Sequence, residues 1–158
     1  MAYENTRVMV GRSQESIRKL LIENGATGIA FVSQSDPLSE GFEAMIPLEG
    51  KTYRVRIAAT VRKVENKSRA RHYRGTYRSA KSDAQVQEDE MRRVWRVLYF
   101  HLKSVYEASN SGVMEFRELM LPYMVVKDGR TIAQHIIPKL DQAIESRPER
   151  LLSSGTYQ

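Results

Sequence analysis

The stretch from Ser82 to Gly112, SDAQVQEDEMRRVWRVLYFHLKSVYEASNSG, decides the fold. Met91, Val94, Trp95, Leu98, Leu102 and Val105 recur at helical spacing on one face, whereas Arg92, Arg93, Arg96, Phe100 and Lys103 fall largely elsewhere. Ser82 and Gln85 have capping-box spacing, Glu88, Asp89 and Glu90 lie toward the positive end of the helix dipole, and Gly112 is a natural stop. A helix of about 25 residues spans roughly 37 Å, enough to cross a small sheet. Met91, Trp95, Leu98 and Leu102 should therefore pack across the apolar face of a sheet built from earlier segments.

Those segments read as one helix and three strands. Ser13 followed by Glu15 suits a helix start, Ile17, Leu20 and Leu21 give a buried stripe, and Gly25 ends it. Gly28 to Gln34 is apolar and partly β-branched, the pattern of a buried strand, and Ser35 to Gly41 is rich in turn formers and reads as a loop. Beyond it, Phe42, Ala44, Ile46 and Leu48 alternate with Glu43, Met45 and Pro47; Tyr53, Val55, Ile57 and Ala59 do the same after Glu49-Gly50-Lys51. Two alternating runs around a glycine turn are a hairpin with one apolar face. Pro47 has no N–H to give a ladder, so it belongs at an edge or near a strand end.

C-terminal to the long helix, Val113 to Leu121 reads as a short helix ended by Pro122, and Tyr123 to Val126 as a brief extended segment. Lys127 to Arg130 is a turn, and Thr131 with Gln134 caps a last helix that runs to about Ser146 and contains Pro138, where a kink or break is expected. The fold class is α+β: a three-stranded antiparallel sheet, one N-terminal helix and a C-terminal helical half of three helices. The chain divides into helix plus sheet (13–61), a basic flexible connector (62–81), the helical half (82–147) and a tail (148–158) within a single domain.

A chain of 158 residues is the size of one domain and can bury a core without staples. The absence of cysteine excludes disulfides, thiolate zinc sites and a cysteine nucleophile. With no long apolar run and no secretory leader pattern at its start, the chain is expected to be cytoplasmic with no membrane partner. The net charge of +6 is concentrated in one place. Residues 62 to 81 hold eight Lys/Arg against the single acid Glu65, more positive charge than the whole chain, so the rest is slightly negative.

That segment is the leading site. Arg69, Arg71, Arg74 and Arg78 suit phosphates, and Tyr73 and Tyr77, with His72, suit stacking on unpaired bases. Arg54 and Arg56, on one face of the last strand, and Arg92 and Arg96, one turn apart on the long helix, would extend the basic surface. Against this stand a linker whose charge only keeps it soluble and a docking segment for an acidic protein. Trp95 sits in the apolar stripe and is read as a core anchor. His72, His101 and His135 lack metal-ligand spacing, Glu115, Glu118 and Asp128 form no catalytic constellation, and no glycine-rich phosphate loop is present. The expectation is therefore no enzyme, no metal and no cofactor.

Arg93-Val94-Trp95-Arg96 on the long helix, Phe116, Leu121-Pro122 and the turn Asp128-Gly129-Arg130-Thr131 before a proline-containing helix together resemble short uncharacterised proteins of bacteriophages and integrated mobile elements. The likeness covers roughly residues 13 to 152 and departs from the pattern in the Ser35–Gly41 loop, the basic spacer and Tyr99–His101. It implies a mobile-element origin, with action in a host-cell cytoplasm, and no particular reaction. The expected function is non-catalytic binding of nucleic acid, DNA or RNA. The alternatives are an accessory or inhibitory module acting on a host or viral protein, and a homo-oligomeric structural component.

Overall fold

A computed structural model describes residues 6–146, and the tail read at 148–158 lies outside them. In chain order the elements are α1 (Val10–Glu23), β1 (Gly28–Ser35), β2 (Leu38–Leu48), β3 (Lys51–Thr60), β4 (Arg71–Tyr73), β5 (Thr76–Arg78), α2 (Asp83–Asn110), α3 (Phe116–Met120), a 3-10 turn (Leu121–Tyr123) and α4 (Ile132–Ser146). The α+β architecture is as expected: β1, β2 and β3 form an antiparallel sheet in that order, with one helix before it and a helical half after it.

Alternation along β2 and β3 buries Phe42, Ala44, Ile46, Val55 and Ile57 on one face. Against that face and α1 lie Val94, Trp95, Leu98, Leu102 and Val105 of α2, and α1 contributes Ile17 and Leu21. Trp95 is wholly buried, with the Phe31 ring edge-on to it at 5.5 Å. Met91 is only partly buried, at the margin of this core. At 28 residues, α2 is about 42 Å long, and Ser82 closes the expected capping box, accepting from the Gln85 N–H at 3.2 Å while its own N–H donates to Gln85 Oε1 at 2.9 Å.

Three boundaries differ from the sequence reading. Ser13 does not cap α1; the helix begins a turn earlier, with Met9 at the N-cap, and Ser13 is buried within it. The loop expected over Ser35 to Gly41 shrinks to Asp36-Pro37, whose peptide is cis, because Leu38 pairs with β1 and Ser39 to Gly41 pair with both neighbours as part of the central strand. Gly41 is required there by close approach rather than by a turn: a Cβ at this position would lie 2.3 Å from the Ile57 carbonyl oxygen. The helix expected from Val113 is shorter, starting at Phe116, and Pro122 sits in the 3-10 turn that continues it. Pro47 pairs with Thr52 beyond the reach of β1, whose ladder starts at Met45, so its missing N–H costs no bond on that side. Glu49 and Gly50, at φ of 50° and 76°, make the two-residue turn of the β2–β3 hairpin.

After the 3-10 turn the chain returns to the sheet. Met124 bridges Val55, and the Val125 N–H donates to the Arg54 carbonyl at 2.8 Å, so part of the β3 edge is covered. Thr131 and Gln134 form the expected reciprocal cap at 2.9 and 3.3 Å. Pro138 lies inside a helix assigned without a break from Ile132 to Ser146, and that helix leaves Ile136, Ile137, Leu140 and Ile144 exposed along one face. Among the described residues no helix is long and apolar enough to cross a membrane.

Candidate nucleic-acid interface

Within the segment expected as a basic flexible connector (62–81), residues 71–78 form a hairpin that stands on a tied neck. β4 and β5 pair antiparallel through Arg71↔Arg78, His72↔Tyr77 and Tyr73↔Thr76, and Arg74 and Gly75, at φ of 45° and 77°, form a two-residue turn of mirror-image type that matches strand twist. The neck is closed by side chains from both ends of the segment. Asn66 Nδ2 donates to the Lys81 carbonyl at 2.9 Å and to Asp83 Oδ1 at 2.8 Å, and the Ser68 hydroxyl lies 2.6 Å from Asn66 Oδ1 and 3.1 Å from the same Lys81 carbonyl, its one proton shared between them.

The first limb is held to α2 below the neck. Gln87 Nε2 donates to the Arg62 carbonyl at 2.8 Å, and its Oε1 accepts from the Val64 N–H at 3.2 Å. The buried carboxylate of Glu90 accepts from Arg93 Nε and Nη2, both at 2.7 Å, and from Arg62 Nε at 2.9 Å. The Arg93 hydrogen bonds, with those of Arg62 and both positive charges, outweigh the cost of burial and hold its pKa down at about 2. Lys81 at the other limb pairs with Asp89 of α2 at 2.5 Å. Gln87, Asp89 and Glu90 in the N-terminal half of α2 thus fix where the hairpin leaves the body.

The hairpin's own charges are arranged differently. Arg71 and Arg78 stand directly opposite one another, and neither has a carboxylate partner among the described residues. Like charges at directly opposed positions destabilise a ladder, so an anion placed between Arg71 and Arg78 would relieve the repulsion. On the neighbouring register His72 and Tyr77 pack ring to ring, centroids 5.0 Å apart, and Tyr77 is 61% exposed. Arg69, Arg71, Arg74 and Arg78 are all exposed. The Tyr73 side chain lies outside the described set, although its backbone belongs to β4.

The proposed extensions are compensated within the fold. Arg54 donates to Glu43 Oε2 from Nε at 2.9 Å and Nη2 at 2.6 Å; Arg56 Nε donates to Oε1 at 2.5 Å and its Nη1 to the Gly129 carbonyl at 2.9 Å. Burial alone would raise the Glu43 pKa, but the hydrogen bonds from Arg54 and Arg56 outweigh it and the net direction is down. Arg92 is paired with Glu88 and Asp89, and the Arg96 guanidinium lies over the Phe100 and Tyr99 rings at 4.5 and 5.2 Å. These four arginines serve packing and charge balance first.

The three histidines have separate roles. His101 is edge-on to Tyr123, and burial pushes its pKa down; His135 is 3.1 Å from Asp128, whose carboxyl is held at about 2 chiefly by the Arg130 N–H and by His135. Among the described residues no group of three or more His, Asp or Glu side chains could hold a metal ion. One cationic residue had no signal in the sequence: Arg7, ahead of α1, lines a cleft of about 800 Å³ together with Tyr77, Arg78 and the first turns of α2.

These features define a class, an α+β domain that presents a basic β-hairpin from the N-terminal end of its longest helix. No protein-family model, curated protein or solved structure matches the chain.

Proposed function

We propose that the protein is a small non-catalytic nucleic-acid-binding protein that uses the β4–β5 hairpin as its contact element. The observation that carries this reading is the opposed Arg71–Arg78 pair on a projecting hairpin, with Arg69 and Arg74 alongside. A row of phosphates supplies the anions that such a pair lacks, and counterion release makes the contact strongly favourable at low salt. The exposed Tyr77 ring, backed by His72, adds a surface on which a base can stack. A resemblance to mobile-element proteins accords with this reading and sets no target sequence.

The test is fluorescence polarisation of labelled single- and double-stranded DNA and RNA. If four phosphates are engaged on a single strand, affinity falls about 50-fold between 50 and 200 mM salt, following a slope of roughly −0.7 per contact. Replacing Arg69, Arg71 and Arg74 together by Ala should lower that slope by about 2 and weaken binding to all sequences alike. Absence of binding at low salt, or binding indifferent to these three replacements, would sink the reading.

A further inference from the structure

The cleft beside the hairpin goes a step further than the hairpin itself. Its volume of about 800 Å³ is within the range of ligand sites. One wall is the end of β5 and the link after it, carrying Tyr77, Arg78 and Lys81; the other is α2 at Glu88, Asp89 and Arg92; Arg7 closes it from the N-terminal side. Three chemistries meet there. Arg7 and Arg78 have no carboxylate partner among the described residues, so an anion suits that end. Tyr77 offers an exposed aromatic face.

The third is a pair of acceptors. Glu88 and Asp89 are engaged by Arg92 and Lys81, which holds the carboxylates in place, yet each retains oxygen lone pairs, since a carboxylate has about four acceptor positions. An unpaired nucleotide presents the matching set: a phosphate, a planar base and exocyclic or ring N–H donors on the base edge. In a duplex the base face is stacked and its Watson–Crick edge is occupied, leaving only the phosphate to use the cleft.

We propose that this cleft receives one unpaired nucleotide of a single strand whose neighbouring phosphates lie on the Arg71–Arg78 hairpin. The inference rests on the nucleic-acid reading above and specifies its substrate: single-stranded nucleic acid, read at one position by stacking on Tyr77 and by donation to Glu88 or Asp89. The shared chemistry covers DNA and RNA, which the experiment separates.

The full-length protein is titrated into labelled 12-mers of mixed sequence, as single-stranded DNA, single-stranded RNA and blunt duplex DNA, at one salt concentration. The single strands should bind at least tenfold more tightly than the duplex. Tyr77→Ala should lose about tenfold on the single strands and change the duplex less than twofold, in keeping with the usual worth of one stacked base. Tyr77→Trp keeps the stacking face, should retain single-strand affinity, and should show fluorescence quenching on binding, which separates loss of stacking from loss of the hairpin. The larger of the DNA and RNA affinities names the natural strand. Duplex binding as tight as single-strand binding, or a Tyr77→Ala protein that binds normally, overturns the cleft assignment and leaves the hairpin reading intact if the arginine replacements still weaken binding. Failure of the unaltered protein to bind any of the three overturns both.

Discussion

Trp95→Ala should destabilise the domain by about 3–5 kcal/mol, the range for deleting a buried large aromatic side chain. Trp95 is fully buried between the sheet and α2's own neighbours, touches Phe31 edge-on, and belongs to the cluster that joins α1, β2, β3 and α2. A domain of this size has about 5–15 kcal/mol in total, so the variant would keep a fraction of its stability and melt far earlier. Trp95→Phe should cost much less. No protein group among the described residues accepts from the indole N–H, so the smaller ring forfeits volume without a protein hydrogen bond. Denaturant unfolding of the two variants checks this; equal losses would mean that Trp95 acts through a polar contact rather than through its bulk.

The second large effect concerns acid. In the fold Glu90 titrates at about 2, against 4.5 for an unperturbed glutamate, so between these values the unfolded chain binds more protons than the folded one. The contribution of the carboxylate is complete above pH 4.5 and is lost as the pH falls toward 2, and at 1.36 kcal/mol per pH unit it amounts to about 3 kcal/mol. Glu90→Gln should therefore lower stability at pH 7 by about that amount and flatten the acid limb, leaving what the lowered carboxyls of Glu43 and Asp128 contribute. Unfolding midpoints from pH 7 to pH 2 for both proteins make the measurement. Parallel curves would assign the acid sensitivity to other groups. Because Glu90 also grips Arg62, limited proteolysis of the variant should cut first between Arg62 and Lys81.

Much of this fold is legible from side-chain periodicity. The stripe from Val94 to Val105, the capping pairs Ser82/Gln85 and Thr131/Gln134, and the alternation of β2 and β3 all carry their geometry in local spacing. Where the reading failed, a nonlocal contact decides. Leu38-Ser39-Glu40 has weak strand preference and is extended because β1 and β3 flank it; Ser13 looks like a cap but is buried. For the candidate site, residue types pointed to the segment and its arginines, yet gave no sign of the hairpin. Arg74-Gly75 between Tyr73 and Thr76 is a two-residue turn signal between strand formers, hidden because its strands have no aliphatic face to alternate. Arg7 joins the cleft only through tertiary folding, and Glu43's claim on Arg54 and Arg56 runs across strands.

The neck formed by Asn66, Ser68 and Lys81 brings the two limbs of the basic segment side by side before the hairpin departs. What lies beyond it is a cassette. Insertions or deletions there should leave the register of β1, β2 and β3 and the phase of α2 unchanged. The core should therefore tolerate changes at the tip that leave the neck bonds in place.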